Sequence, residues 1–187
     1  IRIMKPFSEL EDQIRECFGR AIYTHKTHEK MADRATDKLR RFKTGEIALA
    51  AFTASGVLAL ANDFDQWWVK IFTCLVSLAS VFLVSYLKDF DLGANAQKHR
   101  DAASKIWPIR ESYLSLLTDL RMESVSDVDA RNRRDQLQET LSQIYLGAPQ
   151  TDGDAYKCAQ DALKTKEDYT FSKDEINKFL PDSLKKP

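Results

Sequence analysis

The stretch LALANDFDQWWVKIF, residues 58–72, joins two long apolar runs of the chain. The first run covers residues 47–61 and the second covers residues 67–87, and only the five residues of 62–66 separate them. Charged residues make up 30% of the 187-residue chain, yet only four of the residues from 45 to 87 are charged. This separation of apolar from charged residues is typical of a membrane hairpin attached to a charged cytoplasmic part.

The second apolar run has the length of a membrane span. Its 21 residues extend roughly 31 Å as a helix, about one hydrocarbon core. Lys70 lies one turn from its start and can snorkel to the interface, while Trp67 and Tyr86 lie where an aromatic belt is expected. The first run extends only roughly 22 Å, so it needs preceding residues or a thinner bilayer to reach across. We therefore predict spans at 45–61 and 67–87.

The charges that flank the two runs predict a topology. Residues 34–43 carry five basic side chains and one acid, whereas the turn carries two acids and no base. Basic residues return after the second run at Lys88, Lys98 and Arg100. By the positive-inside rule, both termini are cytoplasmic and the turn is outside. The alternative is a buried helical hairpin in a soluble bundle, but a 21-residue run without a polar face is unusual there.

Helical periodicity extends over most of the remaining chain. Apolar residues recur at helical spacing from about residue 8 to 43, and with no proline between Pro6 and Pro108 this helix can continue into the first apolar run. Positions seven apart form a seam: Ile14, Ala21, His28, Ala35 and Phe42. The second run likewise continues into an amphipathic stretch, which Pro108 should kink or split. No run alternates with period two.

Three shorter helices follow, at about 127–145, at about 151–166 and after the capping box at Ser172, the last one closed by Pro181. The predicted fold class is all-α, with long helices continuous with the membrane spans. The predicted parts are an N-terminal cytoplasmic helix (1–43), a transmembrane hairpin (44–88) and a C-terminal cytoplasmic helical region (89–187).

Composition and motifs argue against catalysis. The net charge is zero, so nothing favours nucleic acid as a partner, and the three widely spaced cysteines favour a reducing compartment. The chain has no P-loop and no dinucleotide-binding glycine motif. We therefore predict no enzyme, no cofactor and no metal. His25, His28 and Glu29 share a helical face and are the one metal-site alternative, but solvated or seam positions explain them better.

Small and hydroxylated residues within the runs suggest how the hairpin packs. Ala51, Ser55 and Ala59 are spaced by four and form a ridge where helices can approach closely. In the second run a hydroxyl stripe can join helices or line a wet path, and it consists of Thr73, Ser77 and Ser80. Back-bonding of these hydroxyls to their own helix is the simpler interpretation.

Two further groups of residues are candidates for a functional role. Gly45 and Glu46 lie at the cytoplasmic end of the first span, where Glu46 is a candidate gate or an interfacial acid. The second group can stack and clamp a nucleotide, or can equally form the interior and rim of a bundle: Arg100, Trp107, Arg110 and Tyr113.

Three segments resemble the SLATT family of bacterial two-transmembrane effectors. They are HRDAASKIWPIRESYLSLLTDL (99–120), RRDQLQETLSQIYLGAPQTDGDAYKCAQDAL (133–163) and FSKDEINKFLP (171–181). The resemblance extends roughly from residue 8 to 184 and includes a Trp-x-x-Arg-Glu-x-Tyr pattern that starts at Trp107. The family occurs with nucleotide-second-messenger and related conflict systems, including CBASS-type anti-phage operons.

The resemblance implies an inner-membrane effector that oligomerises and forms a pore or otherwise breaches the membrane. It implies a lipid bilayer and further copies of the chain as partners, with a nucleotide second messenger or an operon-encoded sensor as the possible trigger. It transfers no catalytic residue. Two alternatives stay open: a membrane-tethered helical interaction module without pore activity, and a soluble helical assembly protein.

Overall fold

The computed structural model describes residues 9–61 and 66–185, except the side chains of residues 60 and 61. These ranges contain six α-helices, a short 3₁₀ turn at Asp182–Leu184 and no strand, so the prediction of an all-α chain is confirmed. The helices are α1 (Glu9–Ala61), α2 (Trp67–Phe90), α3 (Leu92–Arg121), α4 (Asp127–Gly147), α5 (Gly153–Lys164) and α6 (Lys173–Phe179). Of the predicted turn at 62–66, only Gln66 lies within the described residues.

Helix α1 is continuous over 53 residues and carries the charged N-terminal half directly into the first apolar run, as predicted. Acidic residues occupy its first turn, where they interact favourably with the helix dipole. The first four positions of the predicted seam are buried and Phe42 is half-buried. The predicted boundary at 43/44 therefore does not coincide with the end of a helix.

Helices α2 and α3 return antiparallel along α1 and together form an elongated helical pair. Contacts at successive levels show this register: His28 meets His99, Phe42 packs edge-on against Tyr86, and Gly56 lies against Thr73. The apolar end of α1 consequently lies beside α2, while its charged half lies beside α3. The helical pair thus has an apolar half and a charged half, and α1 runs without a break through both.

Two expectations about the return helix are corrected. It is not continuous with the second apolar run, because Asp91 leaves the helical conformation and separates α2 from α3. The Asp91 side chain accepts a hydrogen bond from the Ala94 N–H and so caps the start of α3. Conversely, Pro108 does not split α3, which continues through it to Arg121. The packing of both flanks against α1 holds α3 together despite the missing proline N–H.

The three shorter helices begin close to their predicted positions. Ser126, Asp152 and Ser172 act as N-caps, each accepting a hydrogen bond from a backbone N–H three residues later. Helix α4 packs on the far end of the α1–α3 pair and helix α5 packs on the middle of α1. A buried core occupies that end of the pair: Leu10, Ile14, Cys17, Ala21, Ile109, Tyr113, Leu116 and Ala130.

Candidate functional site

The apolar half of the helical pair exposes its large side chains. On α2, Trp67, Leu78 and Phe82 are exposed to 71%, 62% and 73% of their surface. Exposed apolar side chains also occur along the facing part of α1: Ile47, Phe52, Val57 and Leu58. Soluble proteins rarely leave so large a contiguous apolar surface uncovered, so this surface is a site of interaction.

One helical stretch among the described residues, within 67–121, is long and apolar enough to cross a membrane. Only 11% of its most apolar 18-residue window is buried. The core helix of a soluble protein meets the same length and composition criteria, but it is mostly buried. The exposure therefore distinguishes α2 from such a core helix. The apolar end of α1 does not meet these criteria by itself, so this finding does not establish the span predicted at residues 45–61.

The two helices of the hairpin are in close contact at Gly56. A Cβ atom built there would lie 2.3 Å from Thr73 Oγ1 and 2.9 Å from Thr73 Cγ2. Only a glycine hydrogen fits in the space that the Thr73 side chain leaves at this position, and small residues of this kind allow close contacts between membrane helices. The sequence analysis placed close packing at another set of small residues and did not single out Gly56.

The predicted ridge lies to one side of this contact. Ala51 and Ser55 are exposed and Ala59 is half-buried, whereas Gly56 faces α2. Ser55 Oγ donates to the Ala51 carbonyl one turn earlier, at 2.9 Å. Ala51 and Ser55 are therefore uncovered in the single chain, and packing of the ridge against another copy stays a prediction.

The predicted hydroxyl stripe lies on the face of α2 that packs against α1. Thr73 is buried there, and Ser77 and Ser80 are half-buried. Ser77 Oγ donates to the Thr73 carbonyl at 2.9 Å. In this conformation Thr73 fills the hairpin contact, so the structure does not expose the stripe to an open path. Its role as a pore lining stays a prediction.

Gly45 and Glu46 lie at the base of the hairpin and are both half-buried. A Cβ at Gly45 would have ordinary contact with Leu83, at 3.8 Å. Glu46 lines a groove of about 320 Å³ between α1 and the junction of α2 with α3, together with Lys43 and Lys88. This groove therefore carries the ammonium groups of Lys43 and Lys88 as well as the Glu46 carboxylate. A gating role for Glu46 stays a prediction.

The structure separates the four residues proposed for a ligand clamp or bundle contacts. Arg100 and half-exposed Trp107 line one groove of about 470 Å³ between α1 and α3, and Arg100 donates to Thr36 Oγ1 at 2.7 Å. Arg110 is buried and pairs with Glu111 at 2.6 Å, and Tyr113 lies fully buried in the core. Tyr113 therefore does not share the groove with Arg100 and Trp107.

A polar cluster that the sequence analysis missed is built around Tyr169, in the turn after α5. Its ring lies between the Lys26 ammonium, 4.4 Å from the ring centroid, and the Arg110 guanidinium, 4.6 Å from it. Its hydroxyl donates to the Glu29 carboxylate. Burial and this hydrogen bond raise the pKa of Tyr169 to about 12, so the phenol stays protonated. Because Tyr169 follows Glu29 by 140 residues, no local sequence pattern predicts the contact.

Lys26 is the buried cation of the same cluster. Its Nζ lies 2.7 Å from Asp168 Oδ2 and 3.0 Å from Glu29 Oε2. Burial alone would lower the pKa of Lys26, but the hydrogen bonds to these two carboxylates raise it above its usual value. The pKa of Asp168 is correspondingly lowered by its hydrogen bond to Lys26. Lys26, Asp168 and Glu29 are therefore ionised across the neutral range, and the cluster holds the turn onto α1.

The histidines of the predicted metal-site alternative take part in different contacts. His28 Nδ1 lies 2.9 Å from His99 Nδ1, while His25 is 3.4 Å from the Tyr169 hydroxyl. Burial lowers the pKa of His28 to about 4 and also lowers the pKa values of His25 and His99. In the described ranges, no three His, Cys, Asp or Glu side chains group as a metal site would require.

Comparison with known protein families assigns the chain. A model of the SMODS and SLOG-associating 2TM effector domain, family 4, matches residues 10–175. No curated protein and no solved structure matched the chain. The match covers α1 to α5 and the start of α6, including the exposed apolar hairpin. The chain therefore belongs to the SLATT family of two-transmembrane effector domains, as the resemblance of its sequence predicted, and is a membrane-associated effector domain of a conflict system.

Proposed function

We propose that the chain is an inner-membrane effector of a bacterial anti-phage or related conflict system. In this proposal it crosses the membrane twice and has both termini in the cytoplasm. The observation that carries the proposal is the exposure of the apolar side chains along α2. Water is a poor solvent for this surface, and a bilayer is a good one. The basic residues that flank the hairpin support the orientation.

The register of the hairpin supports a second span, formed by the apolar end of α1. Gly45 lies beside Leu83 and Gly56 lies beside Thr73, so residues 45–56 of α1 run alongside residues 73–83 of α2. If α2 crosses the hydrocarbon core, this part of α1 is at the same depth. The exposed Phe52 and Leu58 then face lipid as the side chains of α2 do. The shortness of the first apolar run is offset by its pairing with a full-length partner.

The effector action that we propose is assembly of several copies into a pore or another breach of the membrane, which causes growth arrest or cell death. One hairpin encloses no channel, so leakage requires a homo-oligomer. The ridge of Ala51, Ser55 and Ala59, of which the first two are exposed, supports this step because small residues let helices of neighbouring copies approach. The action requires no catalytic group or cofactor, and we propose that the chain is not an enzyme. A nucleotide second messenger or an operon-encoded sensor would supply the trigger.

A second candidate function is a membrane tether that recruits partners without leakage. It is favoured by the position of the hydroxyl stripe, because Thr73 is buried against α1 and leaves the outer face of α2 apolar. Such a hairpin offers lipid contacts but no polar lining. The soluble-assembly alternative would require a protein surface to cover the entire exposed hairpin.

The native cysteines provide a test of insertion and orientation. Cys74 lies exposed on α2 and Cys158 lies exposed on α5, whereas Cys17 is buried. In spheroplasts, a membrane-impermeant maleimide should label neither exposed cysteine. After lysis it should label Cys158 while lipid still protects Cys74. A Cys158→Ala chain is the matched control. Labelling of Cys158 in intact spheroplasts would contradict the orientation, and release of the protein by mild washing would contradict insertion.

Dye release separates the effector from the tether. Purified chain is reconstituted into liposomes of bacterial lipid composition that contain a self-quenched dye. We expect release that rises more steeply than linearly with the protein-to-lipid ratio, because several copies form one breach. An oligomer that forms in lipid and never releases dye would favour the tether instead.

A further inference from the structure

A buried pair of histidines joins the two stems that lead to the hairpin. His28 comes from α1 and His99 from α3, and their Nδ1 atoms are 2.9 Å apart. The two side chains are only 3% and 1% exposed, and the ring centroids are 5.1 Å apart. From this level α1 continues without a break to the hairpin, and α3 begins just after the Asp91 junction, which lies eight residues before His99.

The distance between the two Nδ1 atoms limits how many protons the pair can hold. At hydrogen-bond distance one Nδ1 must carry the hydrogen while the other must offer its lone pair. The donor histidine can accept a proton on its Nε2 without losing this bond. A second added proton would have to go onto the acceptor Nδ1, which breaks the bond and places two cations side by side. The closed pair therefore tolerates at most one positive charge.

The charged groups around the pair do not offset a second charge. On α1, His25 faces His28, and its protonation would add repulsion. On α3, Arg100 follows His99 directly and is bonded to Thr36. At the start of α5, Asp152 favours a proton on His99, but its carboxylate already accepts hydrogen bonds from Arg34 at 2.8 Å and from the Ala155 N–H at 2.7 Å. Glu29 is held by Lys26 and Tyr169.

We propose that the His28–His99 pair is a proton-operated joint: a second proton separates α1 from α3 at this level and frees the hairpin to rearrange. The pKa values of His28 and His99 are shifted in the direction that this proposal requires. Burial lowers the folded-state pKa of His28 to about 4, below its usual value of about 6.5. The unfolded or opened chain therefore binds protons more readily, and the closed joint loses stability as the pH falls from about 6.5 towards 4. That the opened joint also changes leakage rests on the proposed function.

Opening can be measured without reference to leakage. Spin labels are placed on the full chain in nanodiscs at Asp37→Cys on α1 and Lys98→Cys on α3, with the native cysteines replaced. Between pH 7.5 and about pH 3.5 we expect the distance between the labels to lengthen by roughly 2 Å or more, the scale of helix shifts at interfaces. The H28N/H99N double variant, whose amides can bond but cannot charge, should show no such change.

His25→Asn is the matched control, because it removes a neighbouring histidine and leaves the pair intact, so the lengthening should persist. A wild-type distance that is constant over this range, or a double variant that lengthens equally, would overturn the proposal. If the double variant folds poorly, titration of the His28 and His99 rings in the wild-type chain, followed by NMR, provides the test instead. In the unaltered pair, charging of the second ring should coincide with the lengthening, and charging of both rings without it would overturn the joint.

Dye release at the same pH values then separates the two proposals. Acid-stimulated release by the wild-type chain and constant release by H28N/H99N would support the regulatory link. Lengthening without release at any pH would contradict the pore while leaving the joint intact.

Discussion

Single residues decide whether the hairpin can close, and Gly56 is the sharpest case. The Thr73 side chain occupies the space that any larger residue at Gly56 would need. Gly45, one level nearer the stems, has open space by comparison, since Leu83 is 3.8 Å from the position of a Cβ. Two glycines on one helix face therefore have different physical roles, and only the tertiary contact distinguishes them.

Gly56→Ala should destabilise the hairpin. The added Cβ would lie 2.3 Å from Thr73 Oγ1, so the helices must separate or Thr73 must change rotamer. Overpacking of this kind costs about 1–3 kcal/mol. The measurement is the free energy of unfolding in mixed detergent micelles. Gly45→Ala is the matched control and should change this free energy by less than about 0.5 kcal/mol.

A second-site change tests the cause of that loss. Thr73→Ala removes Oγ1 and Cγ2, so G56A/T73A should recover part of the lost stability, although the Thr73 Cβ at 3.1 Å remains close. Equal losses at Gly45 and Gly56, or no recovery in the double variant, would show that the close approach does not limit packing.

At the scale of elements, the turn after α5 is held by its contacts with α1 and α3. Glu167 and Tyr169 have positive φ angles of 54° and 70°, which non-glycine residues rarely adopt. The Tyr169 contacts with Lys26, Glu29 and Arg110 hold this conformation. Beyond this turn, α6 has few contacts with the other described helices. The cluster is thus the attachment point of the C-terminal segment.

Lys26→Met should release this attachment. The substitution keeps the length of the side chain and removes the charge that binds Asp168 and Glu29. Because both carboxylates are about one-third exposed, we expect a loss of only about 1–2 kcal/mol. Chymotrypsin cleavage after Tyr169 and Phe171 should accelerate roughly ten-fold, which corresponds to about 1.4 kcal/mol in local opening.

Lys166→Met is the control for that experiment. Its ammonium pairs with Asp161 at 3.1 Å, but both side chains are more than half exposed. Exposed ion pairs contribute little to stability, so the cleavage rate should stay within about two-fold. Similar acceleration in both variants would mean that general charge, and not the buried cluster, retains the segment.

At the scale of the whole molecule, assembly depends on the faces that the single chain leaves open. The ridge of Ala51, Ser55 and Ala59 is about a third of a turn away from the contact with α2, so it is available to a neighbouring copy. The larger exposed side chains of α2 instead suit lipid. In the function that we propose, assembly and insertion therefore use different faces of one hairpin.

Ser55→Leu should reduce the size of the oligomer in lipid. A leucine at the centre of the ridge prevents close helix approach, while membrane insertion is retained because leucine is more apolar than serine. Mass photometry in nanodiscs or cross-linking in native membranes measures the size, and growth arrest on expression should weaken in parallel. Val57→Leu, an exposed position on another face of α1, is the matched control. Unchanged assembly by Ser55→Leu would exclude this ridge as the contact.

Much of the architecture was predictable from local pattern. The helices, their caps at Ser126, Asp152 and Ser172, and the apolar hairpin follow from spacing and composition within a few turns of the chain. The break at Asp91 was not predicted, although its own side chain caps α3. At Pro108 the sequence left a kink or a split open, and packing against α1 excludes the split.

The sequence by itself determined that this chain is helical, carries one apolar hairpin between charged stems and belongs with two-transmembrane effectors, since these properties depend on near neighbours along the chain. Only the tertiary structure decided which small residue is at the close contact, that Thr73 faces inward, and that Tyr113 and Trp107 occupy different environments. It also decided that His28 meets His99 and that Lys26 meets Tyr169. These pairs are 71 and 143 residues apart. The antiparallel return of α3 along α1 forms the first, and the packing of α5 on α1 brings the turn with Tyr169 to the second.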